Sequence, residues 1–317
     1  MKLTWRFQVL SLGVGAATAA FGALAGSPGR GAPVLWVSDT DADRVFLLGE
    51  GLRPLVEIEV ARPLRLEAAT RGGVWILRQE AGRRGPSAEI LHAAADGTCT
   101  SALSCREVLD LDADPEGRLY LLVREAVDPV RLLELEPPGR IGRFLAPFPG
   151  AQAVAAGEGC VLVATREELF VIDVGVPPAV IARSAHAASV VAVASTERGF
   201  WTLERRAGES IARLLSPALH TLDLRRVGDA TVLKGGRTTV PSIDLALEGE
   251  RAWALSEEPS SRLDPGFPLP SALVDLLARG RRLFAAELGA VLELGERGEI
   301  VNLRGGFRGL SSLAPAR

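Results

Sequence analysis

Lysine, asparagine, histidine, tyrosine and cysteine are all scarce in this chain of 317 residues. Lysine occurs only as Lys2 and Lys234, so nearly every base is arginine, which reads as genome composition rather than function. His92, His186 and His220 are the only histidines, too few and too scattered to argue for zinc. No Gly-x-Ser-x-Gly elbow accompanies them, so serine–histidine nucleophilic catalysis lacks its parts. No Cys-x-x-Cys pair exists, which excludes a zinc ribbon and a thioredoxin-type motif. Lys234-Gly235-Gly236 lacks the earlier glycine of a phosphate-binding loop. Net charge is −3, with no basic excess of the kind a nucleic-acid partner needs. No amphipathic helix of useful length is visible. Past the N-terminal segment, no apolar run is long enough to cross a membrane.

The N-terminal segment is itself informative. Lys2 and Arg6 give a charged start, Val9 to Leu24 is apolar and small, and Ala23-Leu24-Ala25 is an A-x-A cleavage site. Residues 1–25 therefore read as a signal peptide and 26–33 as a short linker, with an uncleaved anchor as the alternative. Gly13, Gly15 and Gly22 make this stretch a poor span. Export to the periplasm or the medium follows, with no membrane span after cleavage. Export permits disulfides, and Cys99 and Cys105, on either side of Thr100–Ser104, are expected to be bonded across a polar loop. Cys160 opens an apolar strand and reads as a small buried hydrophobe.

What the chain has in quantity is repetition. Seven stretches, Val34–Ser38, Gly73–Leu77, Arg118–Leu122, Cys160–Ala164, Gly199–Leu203, Arg251–Leu255 and Arg282–Ala286, share one apolar pattern. Their third positions are Trp36, Trp75, Tyr120, Leu162, Trp201, Trp253 and Phe284, spaced by 31 to 52 residues. Every Trp except Trp5, and the one Tyr, thus sits at one phase of one repeat. This period lies in the range of propeller blades.

Each stretch follows another apolar strand and a tight turn, such as Asp114-Pro115-Glu116-Gly117, and precedes two shorter strands. The expected fold is all-β: a single domain over 34–317, with seven four-stranded antiparallel blades. A six-bladed ring with an insertion is the alternative, because the sixth repeat is short and holds the Pro-rich stretch Pro259–Pro270. The chain enters at a second strand, Val34–Ser38, while Gly309–Ala314 reads as a first strand with nothing after it. The C-terminal strand should therefore join the first blade and close the ring.

Loops over a rigid scaffold commonly carry binding sites. On the face carrying the loops between second and third strands, Arg and carboxylates recur, with Asp39, Asp41, Asp43, Arg44, Arg124 and Arg166 as ligand-binding candidates. A solvated face of weak ion pairs is the plainer reading. WVSDTDADRV and LDADPEGRLYLLV resemble the NHL-repeat pattern and the wider gluconolactonase-like β-propeller group. That group holds both enzymes and pure binding modules, so the resemblance implies a propeller and leaves the function open. Asp39, Asp41 and Asp43 echo the start of a calcium loop, but Arg44 stands where its glycine belongs and would repel the cation.

The resemblance also implies an enzymatic alternative, a calcium-dependent lactonase or esterase with carboxylates in the central channel. Asn302 is the only Asn, so the familiar oxygen-ligand set of such enzymes cannot be assembled in its usual form. Asp110, Asp112 and Asp244 are the candidate metal ligands, with Glu67 and Asp275 also on first strands. The favoured expectation is an exported scaffold that binds a protein, peptide or glycan without chemistry and without a cofactor.

Overall fold

The computed structural model describes residues 32–82, 85–124, 130–186, 189–196, 198–206, 209–227, 245–248, 251–254, 262–263, 267–268, 273–279, 282–287, 289–295 and 300–316. Among them are 28 strands and two 3-10 turns, with no α-helix. The first blade holds β1 (Pro33–Asp39), β2 (Arg44–Gly49) and β3 (Pro54–Glu59). The second holds β4 (Pro63–Ala68), β5 (Val74–Gly82), β6 (Gly85–Ala93) and β7 (Cys99–Cys105). The third runs β8 (Glu107–Ala113), β9 (Leu119–Arg124), β10 (Arg131–Glu136) and β11 (Arg140–Pro147). The fourth runs β12 (Ala151–Ala156), β13 (Cys160–Thr165), β14 (Glu168–Asp173) and β15 (Ala179–Ala185). The fifth is β16 (Ser189–Thr196), β17 (Gly199–Arg206), β18 (Glu209–Leu215) and β19 (Thr221–Val227). Next come the hairpin β20 (Leu245–Glu248) and β21 (Arg251–Ala254), and the short pair β22 (Arg262–Leu263) and β23 (Phe267–Pro268). The last blade is β24 (Leu273–Arg279), β25 (Arg282–Glu287), β26 (Ala290–Leu294) and β27 (Ile300–Gly305), followed by β28 (Leu310–Pro315).

The described residues thus form six complete four-stranded antiparallel sheets. Between the fifth and the last lies the region of the expected sixth blade, of which only the two strand pairs are described. The first sheet has the order β28-β1-β2-β3. Leu313 pairs with Val37 and Ala314 with Trp36, so the C-terminal strand closes the ring as its sequence position implied. Inner strands abut one another in turn: β20, β24, β28, β4, β8, β12 and β16.

The core lies in the seams between sheets. Trp36, Val45 and Leu47 of the first blade pack with Leu66, Ile76 and Leu91 of the second, and the other clusters bridge neighbours in the same way. This explains the repeat's aromatic phase. Trp36, Trp75, Tyr120, Leu162 and Phe284 are all buried at 0–1% exposure, and Trp201 is buried as well. A large flat side chain fills the gap between two twisted sheets. The Trp36 indole Nε1–H donates to the Gly72 carbonyl at 2.9 Å, and that of Trp75 to the Gly117 carbonyl at 2.8 Å. Each bond ties a second strand to the first turn of the next blade. Gly117 has φ +78°, and a Cβ there would stand 2.5 Å from the Thr70 amide nitrogen, so only glycine serves at this turn.

One expectation is corrected. Cys99 and Cys105 do not form a disulfide, and neither does Cys160. The segment between them is not a loop: it is β7, paired with β6 from Ala93↔Cys99 to Ala88↔Cys105. A seven-residue strand separates its ends by about 20 Å at roughly 3.3 Å per residue, far beyond the ~7 Å Cα limit of a disulfide. Burial pushes the Cys99 thiol up to about 11.

Candidate functional site

Every sheet has an inner edge with no strand beyond it, whose N–H groups need acceptors. Here the neighbouring blade supplies them. The Asp110 carboxylate of β8 accepts from the Val154 N–H of β12 at 2.9 Å, and Asp112 accepts from Ala156 N–H at 2.8 Å. Asp275 of β24 accepts from Leu313 N–H of β28 at 2.6 Å. The Ser312 hydroxyl of β28 accepts from Leu66 N–H of β4 at 3.2 Å. Side chains on one inner strand therefore cap the backbone of the next, and the channel is lined by a collar of such bonds.

The densest part of the collar joins β4 and β8. Arg65, almost fully buried, donates to Asp110 and to the Leu111 carbonyl, and reaches Glu67 at 3.4 Å. Burial works against the Arg65 charge, but Asp110 and Glu67 more than offset it and hold the guanidinium above its ordinary value. Asp112 is pushed up to about 8, first by burial and then by the Glu67 charge. Its two oxygens accept from Ala113 N–H at 3.0 Å and Ala156 N–H. Near neutral pH the group therefore carries a proton that an ordinary aspartate has lost.

Asp110 and Asp112 as they stand do not fit calcium. A guanidinium and a backbone N–H take the two oxygens of Asp110, and backbone N–H groups take the two oxygens of Asp112. Among the described residues, no three His, Cys, Asp or Glu side chains group to hold a metal. Asp244, the third candidate ligand, lies outside the described residues.

The Asp39 loop is a clasp. Asp39 accepts from Arg308 N–H at 2.8 Å, Gly309 N–H at 2.9 Å and Ala42 N–H at 3.1 Å. Thr40 N–H donates to the Gly309 carbonyl at 2.8 Å, and the Thr40 hydroxyl to Ser311 at 2.7 Å. Asp43, at φ +56°, accepts from Arg62 N–H at 2.7 Å. Asp41 lies so close to Gly309 that a Cβ there would meet its Oδ2 at 2.3 Å. The loop's Asp39 and Asp43 thus hold the closing strand and the entry to the second blade. Arg44 pairs with Glu57. Arg124 pairs with Glu107 at 3.0 Å, and Arg166 sits in the exposed turn between β13 and β14. Neither reaches the Asp39 loop by a hydrogen bond or ion pair among the described residues.

The sequence reading missed two devices. Arg65 was legible as a base in the otherwise apolar pattern Pro63-Leu64-Arg65-Leu66 of an inner strand. The second is a cross-strand Arg–Glu pair within each complete blade. Four have a buried glutamate: Arg78–Glu89, Arg143–Glu134 at 2.8 Å, Arg213–Glu204 at 2.9 Å and Arg282–Glu293 at 2.5 Å. Arg143 also donates to the Val174 and Gly175 carbonyls at 2.6 and 2.8 Å, joining the third blade to the fourth.

No protein-family model matches the sequence, and no curated protein does. Solved structures are similar in fold. The periplasmic gluconolactonase PpgL of Pseudomonas aeruginosa is 10% identical, with a TM-score of 0.56 over 90% of this chain and 99% of that one. A Bacteroides fragilis protein assigned as a 6-phosphogluconolactonase is 10% identical, with a TM-score of 0.60 over 92% and 100%. Apo AztD of Citrobacter koseri is 8% identical, with a TM-score of 0.55 over 89% and 97%. At such identities the likeness is one of architecture, and the chain has the fold of the gluconolactonase-like propellers.

Proposed function

We propose that this chain is an exported β-propeller that binds a protein, peptide or glycan without chemistry. One observation carries this reading: the channel carboxylates Asp110 and Asp112 are engaged by Arg65 and by backbone N–H groups of the next blade. They act as ties between blades, which leaves them poorly placed to ligate an ion. Export rests on the segment 1–25. No helix among the described residues is long and apolar enough to cross a membrane. The test is hydrolysis of a gluconolactone by the purified chain, with calcium and with chelator. A rate equal to the spontaneous one in both conditions is expected. Turnover above that rate, lost in Asp112→Asn, would overturn the reading.

A second reading, a lactone hydrolase, draws on the names of two fold neighbours and on Asp112. A carboxyl pushed up to about 8 is suited to exchanging a proton near neutral pH. The same assay decides between the two.

A further inference from the structure

His92 is a buried titratable group with no place in the collar or the clasp. It lies on β6 in a row that crosses the second blade, Glu67–Trp75–His92–Thr100, each member paired with the next across the sheet. Side chains paired in this way share one face of a sheet. Trp75 packs among Leu111, Leu119 and Leu121 of the third blade, so the row faces the seam between the second and third blades. Two of its members cross that seam. The Trp75 indole N–H donates to the Gly117 carbonyl at 2.8 Å, and the Thr100 hydroxyl donates to the Pro138 carbonyl at 3.4 Å. His92 stands between them.

The imidazole is 8% exposed and meets the Trp75 ring in a T-shaped contact, centroids 4.9 Å apart. A Cβ at Gly73 would come within 3.1 Å of its Nε2, so the ring rests on bare backbone. Among the described residues, this buried Nε2 has no hydrogen-bond partner. In a neutral ring one nitrogen can remain a lone pair, whereas an imidazolium carries N–H on both. A proton on His92 therefore leaves a buried charged donor without an acceptor. The Trp75 ring can attract a cation, but it returns less than the lost hydration. Charged groups on the surrounding elements are engaged elsewhere. Glu67 lies beyond Trp75 and reaches Arg65 at 3.4 Å, and Asp110 and Asp112 of β8 belong to the collar. Arg78 pairs with Glu89, and Arg124 with Glu107. On the third blade Arg118 pairs with Asp114 at 2.7 Å and Glu116 at 3.1 Å. Arg71, Asp96, Glu136 and Arg140 are exposed. β7 carries no charged residue; of its thiols only Cys105 faces this seam, at the far end of the strand from Thr100. Burial lowers His92 below the ordinary 6.5, with no charged neighbour contributing.

We propose that His92 makes the seam between the second and third blades acid-sensitive: on taking up a proton it displaces Trp75 and loosens the tie to Gly117. The direction follows from the burial. The unfolded chain takes the proton more readily than the folded one. The stabilising contribution is thus fully present above pH 6.5 and is lost as the pH falls from there through the lower folded value. Asp112 acts in the opposite direction, so only the difference between the wild type and a His92 variant isolates this joint. The joint lies outside the collar carboxylates, and it is the same for a binding protein and for a hydrolase.

The experiment titrates the purified chain, carrying isotope-labelled histidine and tryptophan, by nuclear magnetic resonance between pH 8 and 4.5. His92→Phe and Trp75→Phe assign the two signals. The His92 ring should titrate below 6.5, and over the same interval the Trp75 indole N–H should lose roughly tenfold of its protection from exchange. Melting midpoints supply a second reading. From pH 7.5 to 5 the wild type should lose about 2 °C more than His92→Phe, and His92→Gln should behave as His92→Phe does. A His92 ring that titrates at or above 6.5 would show that Trp75 holds the cation and would overturn the proposal. So would indole protection that stays constant while the ring titrates, or the same pH dependence of melting in the wild type and both variants. The first two readings are made on the wild type, so a variant that fails to fold does not shield the idea.

Discussion

The inner strands β24, β28, β4, β8 and β12 meet a neighbour at hydrogen-bonding distance, whereas at the outer edge β3, β7, β11, β15, β19 and β27 end their sheets without a further strand. The inner edges carry Asp110, Asp112, Asp275 and Ser312, each capping an N–H of the next inner strand. The outer edges carry Ile141, Val180, Leu224 and Leu303, all exposed. Edge chemistry in this chain therefore depends on whether a partner is fixed by ring geometry. Where the ring supplies one, short polar side chains complete the bonding and the edge is sealed. Where it does not, the edge stays open, with exposed large hydrophobics on β11, β15, β19 and β27 and none on β3 and β7. A polar side chain near the axis is thus weak grounds for chemistry, because the architecture already demands it.

The sharpest way to break this contrast is at the inner edge. Asp110→Ala leaves Arg65 buried without its main partner and Val154 N–H without an acceptor. The expected loss is about 3–5 kcal/mol, seen as a fall of several degrees in the melting midpoint. Asp39→Ala removes three backbone acceptances at the clasp and should cost about 2–3 kcal/mol. Hydrogen exchange should rise first in residues 310–315. If protection there is unchanged, the clasp role is wrong.

Asp112 gives a pH signature. Its folded pKa, about 8, lies above the ordinary 3.8, so the folded state binds this proton more tightly than the unfolded chain. That contribution to stability is fullest below about pH 4 and is lost as pH rises to about 8. Glu67, Asp110 and Arg65 face the same cluster and set the size of the effect. Melting midpoints of the wild type should therefore drop relative to Asp112→Asn between pH 5 and 9. Parallel curves would remove the raised pKa. The smallest effect belongs to the outer edge. Val180→Thr and Ile181→Thr should each shift stability by no more than about 0.5 kcal/mol, against the several expected at Asp110. A loss near 2 kcal/mol would mean that this edge is already packed against something.

Fold and site were not equally legible in the sequence. The aromatic phase identified the blades because a seam between twisted sheets selects a large side chain at one register, and Trp36, Trp75 and Phe284 fill it. Ring closure was legible from the repeat pattern, since Val34–Ser38 has the pattern of a second strand and Gly309–Ala314 that of a first strand, and the two pair. The outer strand of the second blade was not legible. Cys99-Thr100-Ser101-Ala102-Leu103-Ser104-Cys105 is short on apolar residues because its outward side faces water, and it reads as a loop. The disulfide error followed directly. The roles of Asp39 and Asp110 were hidden for a different reason: their partners are backbone N–H groups 270 and 44 residues away, which no local pattern encodes.

The position of β28 also bears on how the molecule is made. Ser38 and Ser311 touch at 2.8 Å at a sequence separation of 273. Closing so long a loop adds only about 0.6 kcal/mol of entropy per doubling of its length, so the finished ring bears little thermodynamic burden. The burden falls on timing, because non-local pairing is slow to form. For a polypeptide that emerges N-terminus first, the opening blade lacks its fourth strand until residues 310–315 have appeared. Its inner edge stays available to any passing strand throughout that interval. The Asp39 loop then acts as the final latch of biogenesis, and a defect in it should appear as misassembly during synthesis before it appears as instability of the mature protein.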